Sequence, residues 1–234
     1  MQFDILLLDA DGTLFDFHAA QRQALERAFS RYALPFSEET LLLYDALNEG
    51  LWRKLERGEI TREELFDSRF RLLFEELGRS VDTVRFNADY LDALAGGVFL
   101  LPGALELCRR LHERCRLYLA TNAVEHVQKR RLRASELAPY IDNIFTSEEM
   151  GYEKPDPRYF DGLFRRLGNP DRRRVLMLGD SLTSDMLGAV RAGIACCWYC
   201  PDAGKTPGGI PIDYRIERLE DFIPIVLESG MGKR

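Results

Sequence analysis

Short apolar runs alternate with helical segments over most of this chain, and this alternation limits the possible folds more than any other feature. The apolar runs are four to six residues long and cover 3–8, 117–120, 175–178 and 195–199, with a weaker one around Ile144. The helical segments have apolar residues every three or four positions and lie near 103–114, 124–134, 157–167 and 184–192. Strands that alternate with helices pair in parallel through crossover connections. The pattern predicts an α/β fold with a doubly wound, parallel, Rossmann-like sheet.

The interval 16–97 departs from this pattern, because it has helical spacing and no convincing strand. Its apolar residues recur three or four positions apart, as in Tyr44, Leu47, Leu51 and Leu55 and again in Phe66, Phe70, Leu73, Phe74 and Leu77. Thr61 and Glu64 have the spacing of a capping box, which marks a helix start. We expect two domains, a Rossmann-like core of residues 1–15 and 98–234 and an inserted all-helical domain of residues 16–97. Residues 229–234 are expected to form an unstructured tail.

The charge balance argues against nucleic acid as a partner. The chain of 234 residues has 32 Lys and Arg against 38 Asp and Glu, and its formal net charge is −6 at pH 7. Binding to a phosphate backbone depends on clustered cations, which this composition does not favour. Arg130, Arg131 and Arg133 form one of the two densest basic runs and residues 172–174 form the other. Both runs are expected to be solvated surface.

The hydropathy pattern and the cysteines both favour a cytoplasmic location. No stretch approaches the roughly 18 apolar residues of a membrane span, and the first apolar run is too short for a signal peptide. Membrane partners are therefore not expected. The five cysteines lie mostly in apolar segments, at positions 108, 115, 196, 197 and 200, and are expected to be reduced thiols. Cys197 and Cys200 fall on opposite faces if this segment is a strand, which disfavours a redox or zinc site.

Two carboxylates mark the end of the first predicted strand. Asp9 and Asp11 are two positions apart, so both face one crevice if the extended geometry continues past Asp9. Open parallel sheets bind ligands at this edge. Two such close carboxylates repel each other, and either a shared proton or a cation such as Mg²⁺ relieves the repulsion. The alternative is an ordinary turn with two solvated aspartates, since Asp-Gly is a common turn dipeptide.

Polar residues follow three further predicted strands. They are Thr121-Asn122, Lys154-Pro155, and Gly179-Asp180-Ser181 together with Asp185. A hydroxyl and an amide can bind phosphate oxygens, a lysine supplies positive charge, and a further carboxylate completes a metal shell. Each group also has a simpler interpretation as a helix cap, a surface lysine or a turn residue. Together at one edge of the sheet, the four groups predict a site for a phosphate ester and a metal.

The four motifs of the haloacid dehalogenase-like (HAD) hydrolase superfamily resemble four segments of this chain: Asp9-Ala-Asp11-Gly-Thr13, Thr121-Asn122, Lys154-Pro155, and Gly179-Asp180-Ser-Leu-Thr-Ser-Asp185. The resemblance spans the whole chain, and the insertion at 16–97 is similar to the helical cap of that superfamily. Segments 13–17 and 179–189 are most similar to the pyrimidine 5'-nucleotidase group. Two positions depart from the common pattern, because Ala123 stands where a Gly often follows Thr-Asn and Glu153 precedes the lysine where a small residue is common.

The resemblance implies a Mg²⁺-dependent hydrolysis of phosphate monoesters in two steps. Asp9 is implied as the nucleophile that becomes an aspartyl-phosphate, and Asp11 as the general acid and base. The implied metal site comprises Asp9, the backbone carbonyl of Asp11, and Asp180. Thr121, Asn122 and Lys154 are implied to bind the phosphoryl group, and Asp185 to orient Lys154 or a metal-bound water. The implied substrate is a small phosphate ester, and the similarity to the nucleotidase group favours a pyrimidine nucleoside 5'-monophosphate.

Other activities within and outside this superfamily remain open at this point. A phosphoglycolate or sugar-phosphate phosphatase and a phosphomutase need the same core residues. A carbon-halogen hydrolase is disfavoured by Asp11, because that reaction needs no acid to protonate an alkoxide. A phosphorylation-driven signalling domain also combines acidic residues, a Thr and a Lys around Mg²⁺, but such domains are near 120 residues and have no inserted helical cap.

Overall fold

Six parallel strands form one sheet in the part of the chain that the structure describes. This computed structural model describes residues 2–228, apart from the side chain of Glu228, so the predicted tail lies outside the described residues. The strands are β1 (Ile5–Leu8), β2 (Arg116–Thr121), β3 (Asn143–Thr146), β4 (Val175–Gly179), β5 (Ala195–Tyr199) and β6 (Tyr214–Ile216). Their order in the sheet is β3-β2-β1-β4-β5-β6. The predicted doubly wound α/β fold is confirmed, and β6 is a strand that the sequence pattern did not indicate.

Strand β1 is central, and its position explains its continuous apolar sequence. Ile5–Leu8 pairs in parallel with β2 on one side and with β4 on the other. Leu6 and Leu8 pack into the core on one face of the sheet, and Leu7 packs into the core on the other. Burial on both faces is what a parallel strand with covering helices requires. The carboxyl ends of β1, β2 and β4 are therefore neighbours.

Helices cover both faces of the sheet. The helices that follow residue 97 are α5 (Ala104–Leu111), α6 (Glu125–Ala134), α7 (Ser147–Met150), α8 (Pro157–Arg166), α9 (Leu187–Ala192) and α10 (Phe222–Glu228). Residues of α5 and α10 join the core on one face, and residues of α8 and α9 join the core on the other. A π-helical turn at Leu182–Met186 leads from β4 into α9. This arrangement leaves the carboxyl edge of the sheet free to carry polar groups.

The described residues divide into two compact units. One, here called the sheet unit, contains the residues up to Phe17 and those from Val98 onward, and the other, here called the helical unit, contains His18–Gly97. The helical unit is built from α1 (Phe17–Arg31, whose first residue belongs to the sheet unit), α2 (Glu38–Glu56), α3 (Arg62–Glu76) and α4 (Thr83–Leu94). The assignment of these units as catalytic core and cap, with boundaries near residues 15 and 98, stays a prediction.

An aromatic cluster holds the helical unit together. Phe29, Phe70, Phe74 and Phe86 are buried, and the ring centroids of the pairs in contact lie between 4.8 Å (Phe70 and Phe86) and 5.7 Å (Phe29 and Phe74) apart. The capping box predicted at the start of α3 is present, since Glu64 N–H donates to Thr61 Oγ1 at 3.2 Å and Thr61 N–H donates to Glu64 Oε2 at 2.7 Å. No helix within residues 2–228 is both long and apolar enough to cross a membrane.

All five cysteines are free and buried, as their apolar surroundings indicated. Strand β5 alternates between the two cores, so that Cys197 packs on one face of the sheet and Cys200, just beyond the strand, packs on the other. This separation confirms the expected orientation of the C-x-x-C sequence. The two thiols are therefore not arranged as a shared ligand pair or as a disulfide.

Candidate active site

The turn after β1 buries Asp9 and leaves Asp11 partly exposed. Asp9 N–H donates to Leu178 O at 2.8 Å, which extends the pairing with β4 by one residue, and Asp9 is 7% exposed. The chain then turns tightly at Gly12, whose φ of +86° lies in the left-handed region. The Asp11 side chain is 22% exposed. One carboxylate is thus enclosed by the sheet while the other lies at its rim.

Lys154 lies in the centre of the site rather than on the surface. Its Nζ donates to Asp9 Oδ1 at 2.7 Å, to Asp185 Oδ1 at 2.6 Å and to Ala120 O at 2.5 Å, and its side chain is 1% exposed. Three acceptors match the three protons of an ammonium group. The interpretation of Lys154 as a surface lysine is therefore wrong.

The Asn122 side chain fixes the backbone of Lys154. Its Nδ2 donates to Lys154 O at 2.9 Å, and its Oδ1 accepts from Lys154 N–H at 2.8 Å. Thr121 Oγ1 accepts from Ala123 N–H at 3.1 Å, and the backbone of Ala123 does not have a positive φ. The substitution at Ala123 is therefore compatible with this loop. Phosphate binding by Thr121 and Asn122 stays a prediction, and Asn122 has the additional structural role of placing Lys154.

The end of β4 brings two more carboxylates to the same place. Asp180 follows Gly179, and Asp185 returns from the π-helical turn so that its Oδ2 accepts from Ser181 N–H at 3.1 Å. A Cβ atom on Gly179 would collide with the Asp185 carboxylate, and one on Gly12 would lie 2.6 Å from Asp180 Oδ2. Both glycines are thus required by the close approach of a carboxylate.

Thr13 is a site residue to which the sequence assigned no individual role. Its hydroxyl lies 3.3 Å from Asp9 Oδ2 and 3.2 Å from Asp180 Oδ1, so it bridges the ends of β1 and β4. Thr13 is fully buried, and its place within the Asp9–Thr13 motif was the available signal. The indole Nε1 of Trp198 also donates to Asp180 O at 2.8 Å, a contact between β5 and this loop that nothing in the sequence indicated.

Burial and mutual repulsion alter the ionisation of these carboxyls. Desolvation and the nearby Asp185 carboxylate raise the pKa of Asp9 well above its ordinary value of 3.8, although Lys154 opposes the shift. The same two causes raise the pKa of Asp180 to about 7. Desolvation by itself lowers the pKa of Lys154, but the carboxylates of Asp185 and Asp9 raise it further, so the net shift is upward. Lys154 is therefore a permanent cation in this site.

The donor set fits a divalent cation. Carboxylate oxygens of Asp9, Asp180 and Asp185 all lie within 4.8 Å of one another. When ionised, the site has four carboxylates and two cationic side chains, which are Asp9, Asp11, Asp180, Asp185, Lys154 and Arg131. Two negative charges therefore remain in excess. Mg²⁺ prefers hard oxygen ligands, and a site with excess negative charge favours a cation. Burial is the main cause of the raised pKa values of Asp9 and Asp180, and repulsion from Asp185 adds to it.

The expectation that all of the basic run at Arg130, Arg131 and Arg133 is solvated surface is wrong for one residue. The Arg131 side chain is 0% exposed, and its Nη1 is hydrogen-bonded to Asp11 Oδ1. Arg130 and Arg133 are exposed, as expected. The physical reason is the helical period of α6, which turns Arg131 inward together with Val127 and Gln128 while its neighbours point outward.

Sequence comparisons identify relatives that match this chain over nearly its whole length. The sequence model of the haloacid dehalogenase-like hydrolase family matches residues 3–193. The HAD-hydrolase YfnB of Bacillus subtilis (strain 168) is 36% identical over 225 residues, which cover 96% of each chain. The pyrimidine 5'-nucleotidase YjjG of Escherichia coli (strain K12) is 35% identical and covers 95% of this chain and 97% of its own. The pyrimidine 5'-nucleotidase PynA of Streptococcus pneumoniae (strain ATCC BAA-255 / R6) is 35% identical, and the match covers 100% of this chain and 99% of PynA.

A solved structure agrees with these relatives. The crystal structure of Bacillus subtilis YfnB bound to magnesium superposes with a TM-score of 0.92 at 36% sequence identity, and the match covers 97% of this chain and all of YfnB. The family resemblance seen in the four motifs is thereby confirmed, and the alternative of a signalling domain is removed. On the strength of its sequence, its fold and the carboxylates gathered at the end of β1, this chain is a hydrolase of the haloacid dehalogenase-like family.

Proposed function

We propose that this protein is a Mg²⁺-dependent phosphomonoester hydrolase that uses Asp9 as its nucleophile. The observation that carries the proposal is the position of Asp9 at the end of β1, with Lys154 Nζ 2.7 Å from its Oδ1 and with Asp180 and Asp185 within reach of a shared cation. Lys154 orients this carboxylate and favours its ionised form, against the burial that raises its pKa, while a dianionic phosphate repels it. Mg²⁺ held by Asp9, Asp180 and the backbone carbonyl of Asp11 would neutralise that repulsion and polarise the phosphoryl oxygens.

The first step transfers the phosphoryl group to the protein. An oxygen of Asp9 forms a bond to phosphorus while the bond from phosphorus to the ester oxygen breaks. The leaving oxygen takes a proton from the Asp11 carboxyl, so that an alcohol departs rather than an alkoxide. Lys154 stabilises the negative charge on the phosphoryl oxygens, and Asp185 holds the ammonium group of Lys154 in place.

The second step releases phosphate. Asp11, now ionised, takes a proton from a water molecule whose oxygen attacks phosphorus, and the bond between phosphorus and Asp9 breaks. The products are inorganic phosphate and the original carboxylate of Asp9, while Asp11 is protonated again. Splitting one difficult displacement into two steps is valuable because the uncatalysed hydrolysis of phosphate monoesters is among the slowest reactions known.

Pyrimidine nucleoside 5'-monophosphates are the proposed substrate class. Two relatives that are 35% identical over nearly the whole chain are pyrimidine 5'-nucleotidases by name. Contacts to the phosphoryl group are the same for every phosphate monoester. Selectivity for the base therefore requires contacts from residues other than those described above. Phosphoglycolate and sugar phosphates are the alternative substrates, because the same core chemistry hydrolyses them.

Release of phosphate from a panel of esters tests this proposal. Initial rates are compared for UMP, dTMP, AMP, phosphoglycolate and glucose 6-phosphate, each with Mg²⁺ and with a chelator. We expect the highest kcat/KM for the two pyrimidine nucleotides and no turnover with the chelator. A kcat/KM for AMP or glucose 6-phosphate that equals the kcat/KM for the pyrimidine nucleotides would contradict the assignment as a pyrimidine nucleotidase and leave the assignment as a phosphatase. No hydrolysis of any ester would overturn both.

A further inference from the structure

The carboxylate of Asp11 is held by a buried arginine from a different part of the chain. Arg131 lies 120 positions after Asp11, and its Nη1 is hydrogen-bonded to Asp11 Oδ1. The arginine side chain is 0% exposed, whereas that of Asp11 is 22% exposed. The pair thus joins a fully enclosed cation to a carboxylate at the rim of the site.

Two further contacts fix the arginine itself. Nη1 of Arg131 also donates to Gln128 Oε1 at 3.0 Å, and Gln128 lies three positions earlier on the same face of α6. The guanidinium carbon lies 4.7 Å from the ring centroid of Phe15, which makes a cation–π contact. Phe15 belongs to the same turn as Asp11, because Gly12 N–H donates to Phe15 O at 2.9 Å. Arg131 therefore contacts both the side chain of Asp11 and the turn that carries it.

We propose that Arg131 is a positioning residue for proton transfer in this enzyme: it holds Asp11 through Oδ1 and thereby presents Oδ2 as the oxygen that exchanges the proton with the leaving group and with water. A planar guanidinium with fixed donors restricts the orientation of a carboxylate more than a solvent contact does. Proton transfer requires a donor within hydrogen-bond reach of the reacting oxygen, and small misplacements are costly. The inference rests on the proposed function, since it assigns this proton transfer to Asp11.

The dependence of rate on the leaving group distinguishes this role from a purely structural one. An alkyl or nucleoside phosphate needs a proton on its leaving oxygen, whereas p-nitrophenyl phosphate needs little help because its phenolate departs readily. An arginine that only stabilises the fold affects both kinds of ester equally. An arginine that orients Asp11 affects the ester with the poor leaving group far more.

The test compares Arg131→Gln with the wild-type enzyme on UMP and on p-nitrophenyl phosphate. We expect kcat for UMP to fall by about 10-fold to 100-fold, with KM changed by less than about 2-fold, and kcat for p-nitrophenyl phosphate to fall by less than about 3-fold. Arg131→Lys keeps the charge without the planar fork, and should recover part of the loss on UMP. Arg133→Gln, an exposed arginine on the same helix, is the matched control and should behave as the wild type.

A double-mutant cycle with Asp11→Asn tests whether Arg131 acts through Asp11. If it does, adding Arg131→Gln to Asp11→Asn causes no further loss on UMP, because residues that act as a unit are not additive. Equal losses on the two esters, or additive losses in the cycle, would overturn the inference while the proposed function stands. Failure of the wild-type enzyme to hydrolyse any ester would instead count against the proposed function.

A milder variant keeps the test valid if Arg131→Gln does not fold. Gln128→Met removes the acceptor that orients Arg131 Nη1 but leaves the ion pair with Asp11 intact. We expect the same leaving-group pattern with a smaller amplitude. A folded Gln128→Met or Arg131→Lys enzyme whose losses on UMP and on p-nitrophenyl phosphate are equal would contradict the inference. Thermal unfolding of each variant identifies a temperature at which all of them are folded.

Discussion

The ammonium group of Lys154 donates a hydrogen bond of 2.6 Å to Asp185 Oδ1, and both side chains are 1% exposed. A buried pair of this kind is costly to break, because removing one partner leaves the other charge desolvated and uncompensated. Asp9 shares the same ammonium group. The lysine therefore supports the fold of this edge of the sheet as well as the proposed chemistry.

Replacing Lys154 by Met should destabilise the protein in a pH-dependent manner. We expect a loss of about 3–5 kcal/mol in the free energy of unfolding near neutral pH, since Asp9 and Asp185 then lose their buried counter-ion. Without the ammonium, the pKa of Asp9 rises further above its ordinary value, so protonation of the folded state restores stability as the pH falls. Urea unfolding at several pH values measures this trend. Lys54→Met, at an exposed lysine of α2, is the control and should change stability by less than about 0.5 kcal/mol.

Stabilisation by Mg²⁺ should increase with pH. In the metal-free protein the pKa of Asp180 is raised to about 7, so the stability that this group contributes is fully present below its ordinary value of 3.8 and is lost as the pH rises through about 7. The cation binds the ionised form, and binding then releases protons. The increase in Tm caused by Mg²⁺ should be larger at about pH 8 than at about pH 6.

Asp180→Asn is the control for that experiment, because it should reduce the Mg²⁺ effect and its pH dependence together. An increase in Tm that is the same at both pH values would mean that ionisation of this carboxyl does not limit metal binding. Calorimetric titration in two buffers of different ionisation enthalpy provides an independent count of the protons released.

Gly12→Ala should damage the site without disturbing the core. A Cβ atom at this position lies 2.6 Å from Asp180 Oδ2, and the φ of +86° is strained for any residue with a side chain. We expect a loss of about 1–2 kcal/mol in stability and a weaker affinity for Mg²⁺, because Asp180 must move. Gly50→Ala in α2 is the matched control, since its Cβ position has no atom within 4 Å apart from its chain neighbours and the adjacent turns of helix backbone, and helix propensity predicts a gain of about 0.5–1 kcal/mol. Unchanged Mg²⁺ affinity in Gly12→Ala would show that Asp180 is not held at this spacing.

The thiols should be inert in the folded protein. Desolvation raises the pKa of Cys108 to about 12 and those of Cys115 and Cys196 to about 11, so little thiolate forms at neutral pH. We expect a thiol-specific reagent to modify the native protein slowly and all five cysteines rapidly after unfolding. Activity should not depend on added reductant. Rapid modification of the native chain together with loss of activity would disprove this expectation.

Much of this fold could be predicted because its signals are local. The apolar run before Asp9 predicted β1, and the turn-forming residues Asp11 and Gly12 predicted the turn after it. The capping residues Thr61 and Glu64 marked the start of α3 correctly. Such patterns depend on neighbours a few positions apart, which a single sequence displays directly. Strand β6 was missed because its three residues, Tyr214–Ile216, are too few to show a period.

The sequence indicated which residues lie together in the candidate site more completely than it indicated their contacts. The topology of a parallel sheet brings Asp9 and Asp180 to adjacent strand ends, so their proximity followed from the pattern. The burial of Arg131 could not be predicted in this way, because its partner Asp11 is distant in sequence. The arginines next to it also make the segment resemble a solvated surface. The spacing of Val127, Gln128 and Arg131 on one face of α6 was the available clue. The bonds from Asn122 to the backbone of Lys154 likewise depend on the exact placement of two loops.

Trapping of the phosphorylated protein tests directly whether Asp9 is the nucleophile. Wild-type enzyme mixed with UMP and Mg²⁺ is quenched in acid within one turnover, and the digested peptides are analysed by mass spectrometry. We expect one phosphoryl group on the peptide that contains Asp9, and neither phosphopeptide nor turnover in Asp9→Asn, which should remain folded. Turnover by Asp9→Asn at the wild-type rate, or a phosphoryl group on a different residue, would rule out Asp9 as the nucleophile.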